Sequence, residues 1–288
     1  MEVVYRPKTL NELDKIIHEN KTNLTYLAGA TDIMVQEKRW KAASNLLDLS
    51  SIKEISQTLE VTENYALIGS ALPLSEIISN QTIQYRLPIL VEACRQIGSV
   101  QIQNRATLGG NIANASPAGD SLPVLSVLGA EILIGPRNNA EFEKVKIEQI
   151  MLNPGATSLK GNQYIAFIYI PFPEQKDQFW YFRKVGQRKA LAISKVSLAV
   201  LGWIKNQKVE AIRISAGSVS PQIRRGTKIE AILNRQLLTE AIIEKARMSI
   251  MEEVSPISDI RSTIEYRRQI CGELLREALY NAIGDQVF

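Results

Sequence analysis

The stretch "TLGGNIANASPAGDS", residues 107–121, decides how this chain is read. Its last thirteen residues hold three glycines, two asparagines, two serines and a proline, and one charged side chain, Asp120. It has no aliphatic period from which to build an amphipathic helix or a half-buried strand. Two readings follow. Asn and Ser side chains can bond their own backbone in a compact turn. Alternatively, the paired glycines 109 and 110 let a ligand lie against bare main chain. Thr107, Asn111, Asn114 and Ser116 would then bond phosphate or sugar oxygens, and Asp120 would accept from a ribose hydroxyl or an adenine amine. Composition leaves the two balanced. Length favours function, because long irregular segments in compact domains are functional or disordered. The flanks "TLGG" and "LPVLSVLGA" argue against disorder.

A second stretch, "YLAGATDIMVQ" (26–36), reads as a strand fed through Gly29 into a helix with Thr31 and Asp32 as candidate caps. A helix start leaves backbone N–H groups unpaired at the positive end of the dipole, which suits phosphate. Alone this is a weak signal. It is not GxGxxG, so a Rossmann site is unsupported.

The rest of the chain narrows the class. Its 288 residues are 45% apolar and 22% charged, which describes a globular protein with a real core. A net charge of +4 without basic runs does not point to nucleic acid. Cys94 and Cys271 stand far apart with no ligand spacing, which argues against an iron–sulfur or zinc site on this chain and for a reducing compartment. No secretory signal or membrane span is expected, so the cytoplasm is the default. The one histidine, His18, reads as a solvated residue on a helix.

Along the chain, Thr9-x-x-Glu12 opens an amphipathic helix, and residues 1–50 read helix, strand, helix, strand. Strands follow at "YALIGSAL", "AEILIGP" and "YIAFIYIPF", and helices at "LSEIISN", "RLPILVEACRQIG" and "SLPVLSVLGA". After the link "FPEQKDQ" come three antiparallel strands, then helices. The last helix carries a capping box at Ser262-x-x-Glu265, an apolar stripe from Ile264 to Leu279, and a stop at Gly284. The expected class is α+β in two segments, with the boundary near 173.

"TLGGNIANASPAGDS" resembles the second flavin motif of the FAD-binding subunits of molybdenum hydroxylases, the xanthine and carbon monoxide dehydrogenase group. "YLAGATDIMVQEKR" resembles their first motif, about 80 residues earlier. "FRKVGQRKALAISKVSLAV" and "SDIRSTIEYRRQICGELLREAL" resemble two later signatures, so the likeness runs along the whole chain. It implies an FAD-binding domain of the vanillyl-alcohol-oxidase (PCMH) type over 1–173, with two α/β subdomains of about 1–55 and 56–173, and a C-terminal α+β domain over 174–288.

The likeness also assigns contacts. Leu27, Ala28, Gly29, Ala30, Thr31, Asp32 and Ile33 would wrap the FAD pyrophosphate. Thr107, Gly110, Asn111, Asn114 and Ser116 would continue the cradle, and Asp120 would reach the ribose or adenine end. Ile165 and Lys184 match positions that touch the flavin half, and Lys195 matches a lysine near the ring, where an ammonium would raise the flavin potential. Three departures stand out. Ala30 replaces a glycine, Ile97 stands where animal relatives place an aromatic, and Leu191 and Ala192 replace acidic residues.

The implied function is an electron relay through non-covalent FAD. Molybdopterin and [2Fe–2S] clusters would lie on partner large and small subunits of a heterotrimer, with NAD as the acceptor and an N-heterocycle such as a purine as the substrate of the complex. A free-standing FAD oxidoreductase acting on a small alcohol or sugar nucleotide, and a non-enzymatic nucleotide-binding protein, remain alternatives.

Overall fold

The computed structural model of the chain describes residues 3–19, 24–36, 45–138, 141–188 and 191–284. It divides into two compact units. The first comprises Met1–Leu87, Ile97–Ser116 and Gly129–Phe172, and the second Pro88–Gln96, Pro117–Leu128 and Pro173–Phe288. The chain therefore passes from one unit to the other inside the stretch 107–121.

In the first unit, strand β1 (Val3–Tyr5) precedes helix α1 (Leu10–Glu19), a strand too short for alternation to reveal. The Thr9 hydroxyl accepts the Glu12 N–H at 3.2 Å, the expected helix start, and the Glu12 carboxylate accepts the Lys8 N–H at 2.6 Å. Leu10, Leu13 and Ile17 form the buried face and His18 stays exposed. Strands β2 (Leu24–Leu27) and β3 (Asn45–Asp48) complete a parallel sheet in the order β1-β3-β2.

A five-stranded antiparallel sheet holds β4 (Leu59–Val61), β5 (Tyr65–Gly69), β6 (Glu131–Asn138) and β7 (Glu141–Lys146). After the small hairpin of β8 (Met151–Asn153) and β9 (Ala156–Thr157), β10 (Tyr164–Pro171) enters its centre, giving the order β4-β5-β10-β6-β7. Leu13, Ile17, Leu47, Ile52 and Ile55 share one core with Tyr164, Ala166 and Phe167, so both sheets of this unit close on the same apolar layer. A polar clasp sits beside it. The Tyr164 hydroxyl donates to Asp14 at 2.7 Å, and the Arg137 guanidinium bridges Asp14 and Asn11.

Two local expectations change here. The helix expected from Thr31 and Asp32 is, among the described residues, a single 3-10 turn over Ile33–Val35; residues 37–40 of that expected helix lie outside the described residues. Asp32 makes no cap bond. Its carboxylate instead accepts from the Gln36 side chain at 2.8 Å. The stretch 107–121, read as irregular, contains the short helix α2 (Leu108–Ala113). Its sequence has poor helix propensity, and the helix is held by the Thr107 cap and by packing on Ser70.

In the second unit, helix α3 (Ser121–Leu128) has eight buried residues. Strands β11 (Gln178–Val185), β12 (Val196–Lys205) and β13 (Lys208–Gly217) form the expected antiparallel sheet. Helices α4 (Thr227–Leu233), α5 (Glu240–Glu253) and α6 (Ile264–Ala282) follow. Cys271, Leu274, Leu275, Ala278 and Leu279 of α6 pack with Val196, Leu198 and Val200 of β12. The cap of α6 is Thr263, whose hydroxyl accepts the Tyr266 N–H at 3.3 Å, and not Ser262 as the sequence suggested. The segment before it sets the register: Asp259 carboxylate accepts from the Ser262 N–H and from Arg267. Gly284 takes the left-handed conformation after the helix, φ +83°.

Candidate functional site

The first unit contains a cavity of about 580 Å³, a size suited to a nucleotide cofactor. Leu27, Ala28, Gly29, Ala30, Thr31, Asp32 and Ile33 line it, as do Thr107, Gly110, Asn111 and Asn114. Residues of both quoted stretches therefore face one space.

Contact between main chains brings them together. A Cβ on Gly29 would stand 1.9 Å from the Arg105 carbonyl oxygen, so only glycine lets the turn after β2 lie on the approach to α2. The next residue, Ala30, has φ +58°. This left-handed residue turns the chain so that successive N–H groups face outward, the geometry of an anion-binding nest. The N–H groups of Gly29, Ala30, Thr31 and Ile33 donate to no backbone carbonyl among the described residues.

The opposite wall is built differently. The Thr107 hydroxyl accepts the Gly110 N–H at 2.9 Å and the Thr107 carbonyl accepts the Asn111 N–H at 3.0 Å. Gly109 packs away from the cavity, where an added Cβ would meet the Ser70 carbonyl oxygen at 2.5 Å. Gly110 faces the space: its Cβ would meet only the Thr107 hydroxyl, at 3.1 Å. Leu74, Ile97 and Ile102 add apolar surface. Ile97, noted as the replacement for an aromatic, is thus at the cavity.

The other expected residues lie elsewhere. Ser116 is half-buried and does not line the cavity. Ile165 is buried in β10 opposite Ile134. Asp120 and Lys184 lie in the second unit and pair with each other at 2.5 Å, both nearly enclosed. The Lys184 ammonium also donates to the Gln96 carbonyl at 3.0 Å. Burial pushes the Asp120 carboxyl up to about 6 against the pull of the Lys184 ammonium, and Asp120 Oδ1 has no hydrogen-bond partner among the described residues. Lys195, also in the second unit, has its ammonium 5.5 Å from the centre of the Tyr266 ring. Cys94 and Cys271 are buried, with thiols pushed up to about 12 by burial.

Sequence reasoning missed one wall. Tyr26, Thr157, Leu159, Lys160, Gly161 and Gln163 also line the cavity. Burial pushes the Tyr26 phenol up to about 12, so it is a poor acid. No motif marks Lys160 or Gln163. Their place is visible only after the chain folds.

The cavity fits FAD by two features: unpaired N–H groups suit its diphosphate, and the bare face at Gly110 leaves room beside them. Comparison with known proteins agrees. Residues 1–173 match the FAD binding domain in molybdopterin dehydrogenase, and residues 180–282 match the CO dehydrogenase flavoprotein C-terminal domain. The glyceraldehyde dehydrogenase medium chain of Sulfolobus acidocaldarius is 25% identical over 274 residues, covering 95% of both chains. The putative xanthine dehydrogenase FAD-binding subunit of Escherichia coli is 25% identical over 285 residues, covering 97% of this chain and 95% of that one. A solved carbon monoxide dehydrogenase of Hydrogenophaga pseudoflava shares the fold, with a TM-score of 0.91 at 24% identity, covering 99% of this chain and 98% of that one.

Fold and cradle thus define an FAD-binding oxidoreductase chain. It belongs to the family of FAD-binding subunits of the molybdenum hydroxylases. Among its described residues no helix is long and apolar enough to cross a membrane.

Proposed function

We propose that this chain is the flavin relay of a cytoplasmic heterotrimer. It takes electrons from [2Fe–2S] clusters on a small partner subunit, itself served by a molybdopterin-binding large subunit, and delivers them to NAD. The observation that carries this reading is the turn whose Gly29, Ala30, Thr31 and Ile33 N–H groups donate to no backbone carbonyl among the described residues, facing Gly110 across one cavity. Bound FAD supplies the chemistry, accepting single electrons and releasing a hydride. The chain's own residues hold it. The turn N–H groups bond the diphosphate, Gly110 leaves it room, and Leu74, Ile97 and Ile102 exclude water from one side.

Among the described lining residues the titratable side chains are Tyr26, Asp32 and Lys160, a set without a histidine or cysteine to act as acid–base catalyst. That supports a relay over a free-standing alcohol oxidase. The relatives point the same way. They are called medium chains or FAD-binding subunits, and their complexes are named for glyceraldehyde, xanthine and carbon monoxide. Such diversity supports a substrate site on another subunit; an N-heterocycle is our reading for this complex. Ser116 and Ile165, which belong to the same unit, are proposed to complete the cofactor's surroundings in the assembled enzyme.

The test is to purify the tagged chain from its native host. Two co-purifying subunits carrying iron and molybdenum, and flavin reoxidation by NAD⁺ faster than by NADP⁺, are expected. A monomer that oxidises a small alcohol alone would overturn the proposal.

A further inference from the structure

The missed wall is a strap. Residues 155–163 are tied at one end to the second flavin motif and at the other to the start of the first. At one end the Gly155 N–H donates to the Ala115 carbonyl at 2.9 Å. At the other the Tyr26 hydroxyl donates to the Gly161 carbonyl at 3.3 Å. Between these ties Thr157, Leu159 and Lys160 line the cavity. The turn that presents Lys160 is clamped from both sides by Gln163. The Gln163 N–H donates to the Lys160 carbonyl, and the Lys160 N–H donates to Gln163 Oε1, each at 2.9 Å. Gln163 Nε2 in turn donates to Glu143 at 3.1 Å, anchoring the clamp to β7.

Charge gives the strap a purpose. Among the described lining residues the acidic and basic side chains are Asp32 and Lys160, so Lys160 is the cation among them. Asp32 stands in the turn that offers its N–H groups to an anion, where its negative charge opposes one. No carboxylate among the described residues pairs with the Lys160 ammonium. A flexible ammonium on a rigid turn serves a diffuse anion well, because it follows the charge without demanding one geometry.

We propose that Lys160, presented by the strap 155–163, is a binding residue for the diphosphate of the dinucleotide, offsetting Asp32 and supplying positive charge to the described lining of the cavity. This rests on the cavity being the FAD site. Lys160→Gln, Lys160→Arg and the control Lys15→Gln, at a likewise exposed lysine that does not line the cavity, are made in the full chain, stripped of cofactor, and titrated with FAD at low and high ionic strength. Lys160→Gln is expected to weaken FAD binding about tenfold at low ionic strength, with a flatter salt dependence than the wild type. Lys160→Arg restores most of the affinity, and Lys15→Gln matches the wild type. Wild-type affinity in Lys160→Gln, an equal loss in Lys160→Arg, or a loss independent of salt would each overturn the proposal. A wild-type chain that takes up no FAD would instead overturn the cofactor reading, and this inference with it.

Discussion

The two turns that face the cavity are similar in composition and opposite in state. After β2, the N–H groups of Gly29, Ala30, Thr31 and Ile33 donate to no backbone carbonyl among the described residues. At the start of α2, the N–H groups of Gly109, Gly110 and Asn111 are all taken, by the Ser70 carbonyl and by the hydroxyl and carbonyl of Thr107. One turn therefore supplies hydrogen-bond donors, and the other supplies space. The glycines divide along the same line. Gly29 and Gly109 let main chain touch main chain, while Gly110 leaves a face bare. A glycine-rich loop is thus not one device, and substitution separates its parts.

The largest effect is expected at Gly29. Its Cβ would stand 1.9 Å from the Arg105 carbonyl oxygen and 3.0 Å from the Ala106 Cα, both backbone atoms that cannot swing aside. Gly29→Ala should cost about 3 kcal/mol or more by overpacking and should lose FAD as well. Urea unfolding and the flavin content of the purified protein report both. A variant with wild-type stability would mean the two turns are not held by this contact.

Gly110 is expected to break function without breaking the fold. Gly110→Val should purify colourless, lacking the flavin absorbance of the wild type, with stability within about 1 kcal/mol of it. Gly109→Val should do the reverse in order of cause, unfolding first because Ser70 backbone lies 2.5 Å away. If the two variants behaved alike, the division between space and support would be wrong.

The same stretch offers a contrast ten residues on, where it enters the second unit. Asp120 is enclosed with Lys184, and burial raises its carboxyl to about 6 from 3.8. The folded state then holds a proton that the unfolded state releases between about pH 4 and 6. Stability from this site is highest below pH 4 and falls as pH rises to 6, by on the order of 2 kcal/mol. Asp120→Asn should flatten that slope. Urea midpoints at pH 4 and pH 6.5 that shift equally in the variant and the wild type would show that Asp120 does not titrate in this range.

A smaller loss is expected at Thr107. Thr107→Ala removes the acceptor for the Gly110 N–H, a half-buried cap bond of 2.9 Å, and should cost about 1 kcal/mol. Thr107→Ser should recover most of it. Thermal melting of the three proteins decides the matter, and equal midpoints would leave α2 held by the Ser70 contact alone.

These contrasts mark what could be read beforehand. The sheet of β11, β12 and β13 was legible because each strand is long, apolar and bounded by turns. The stripe of α6 was legible because its period spans five turns. Gly29 and Thr107 stood out through their motifs. The cap of α6 slipped by one residue because Ser262 and Thr263 are both good caps, and only the Asp259 contacts choose between them. Helix α2 was hidden since "LGGNIA" forms a helix through tertiary support rather than propensity. Lys160 carried no local signal at all. Its neighbour Gly161 meets Tyr26 across 135 residues of chain, and that closure creates the third wall.

The least effect, and the one that most sharpens the contrast between the turns, is at Ala30. With φ +58°, this alanine pays a left-handed strain of roughly 1–2 kcal/mol that a glycine would not. Glycine in turn gives the unfolded chain more freedom, which returns about 0.5–1 kcal/mol of that gain. Ala30→Gly should therefore stabilise the chain by no more than about 1 kcal/mol. Its effect on the cofactor should have the opposite sign, because a residue confined to the left-handed well holds the N–H groups of the turn in one direction before FAD arrives. A melting point slightly raised in the apo-protein, together with weakened FAD binding, fits a turn whose strain pre-sets its donors; unchanged FAD binding would show that the strain does not pre-set them. A lowered apo melting point would show instead that the side-chain methyl of Ala30 contributes packing worth more than the strain, and the turn would then be held open by its walls rather than by its own backbone.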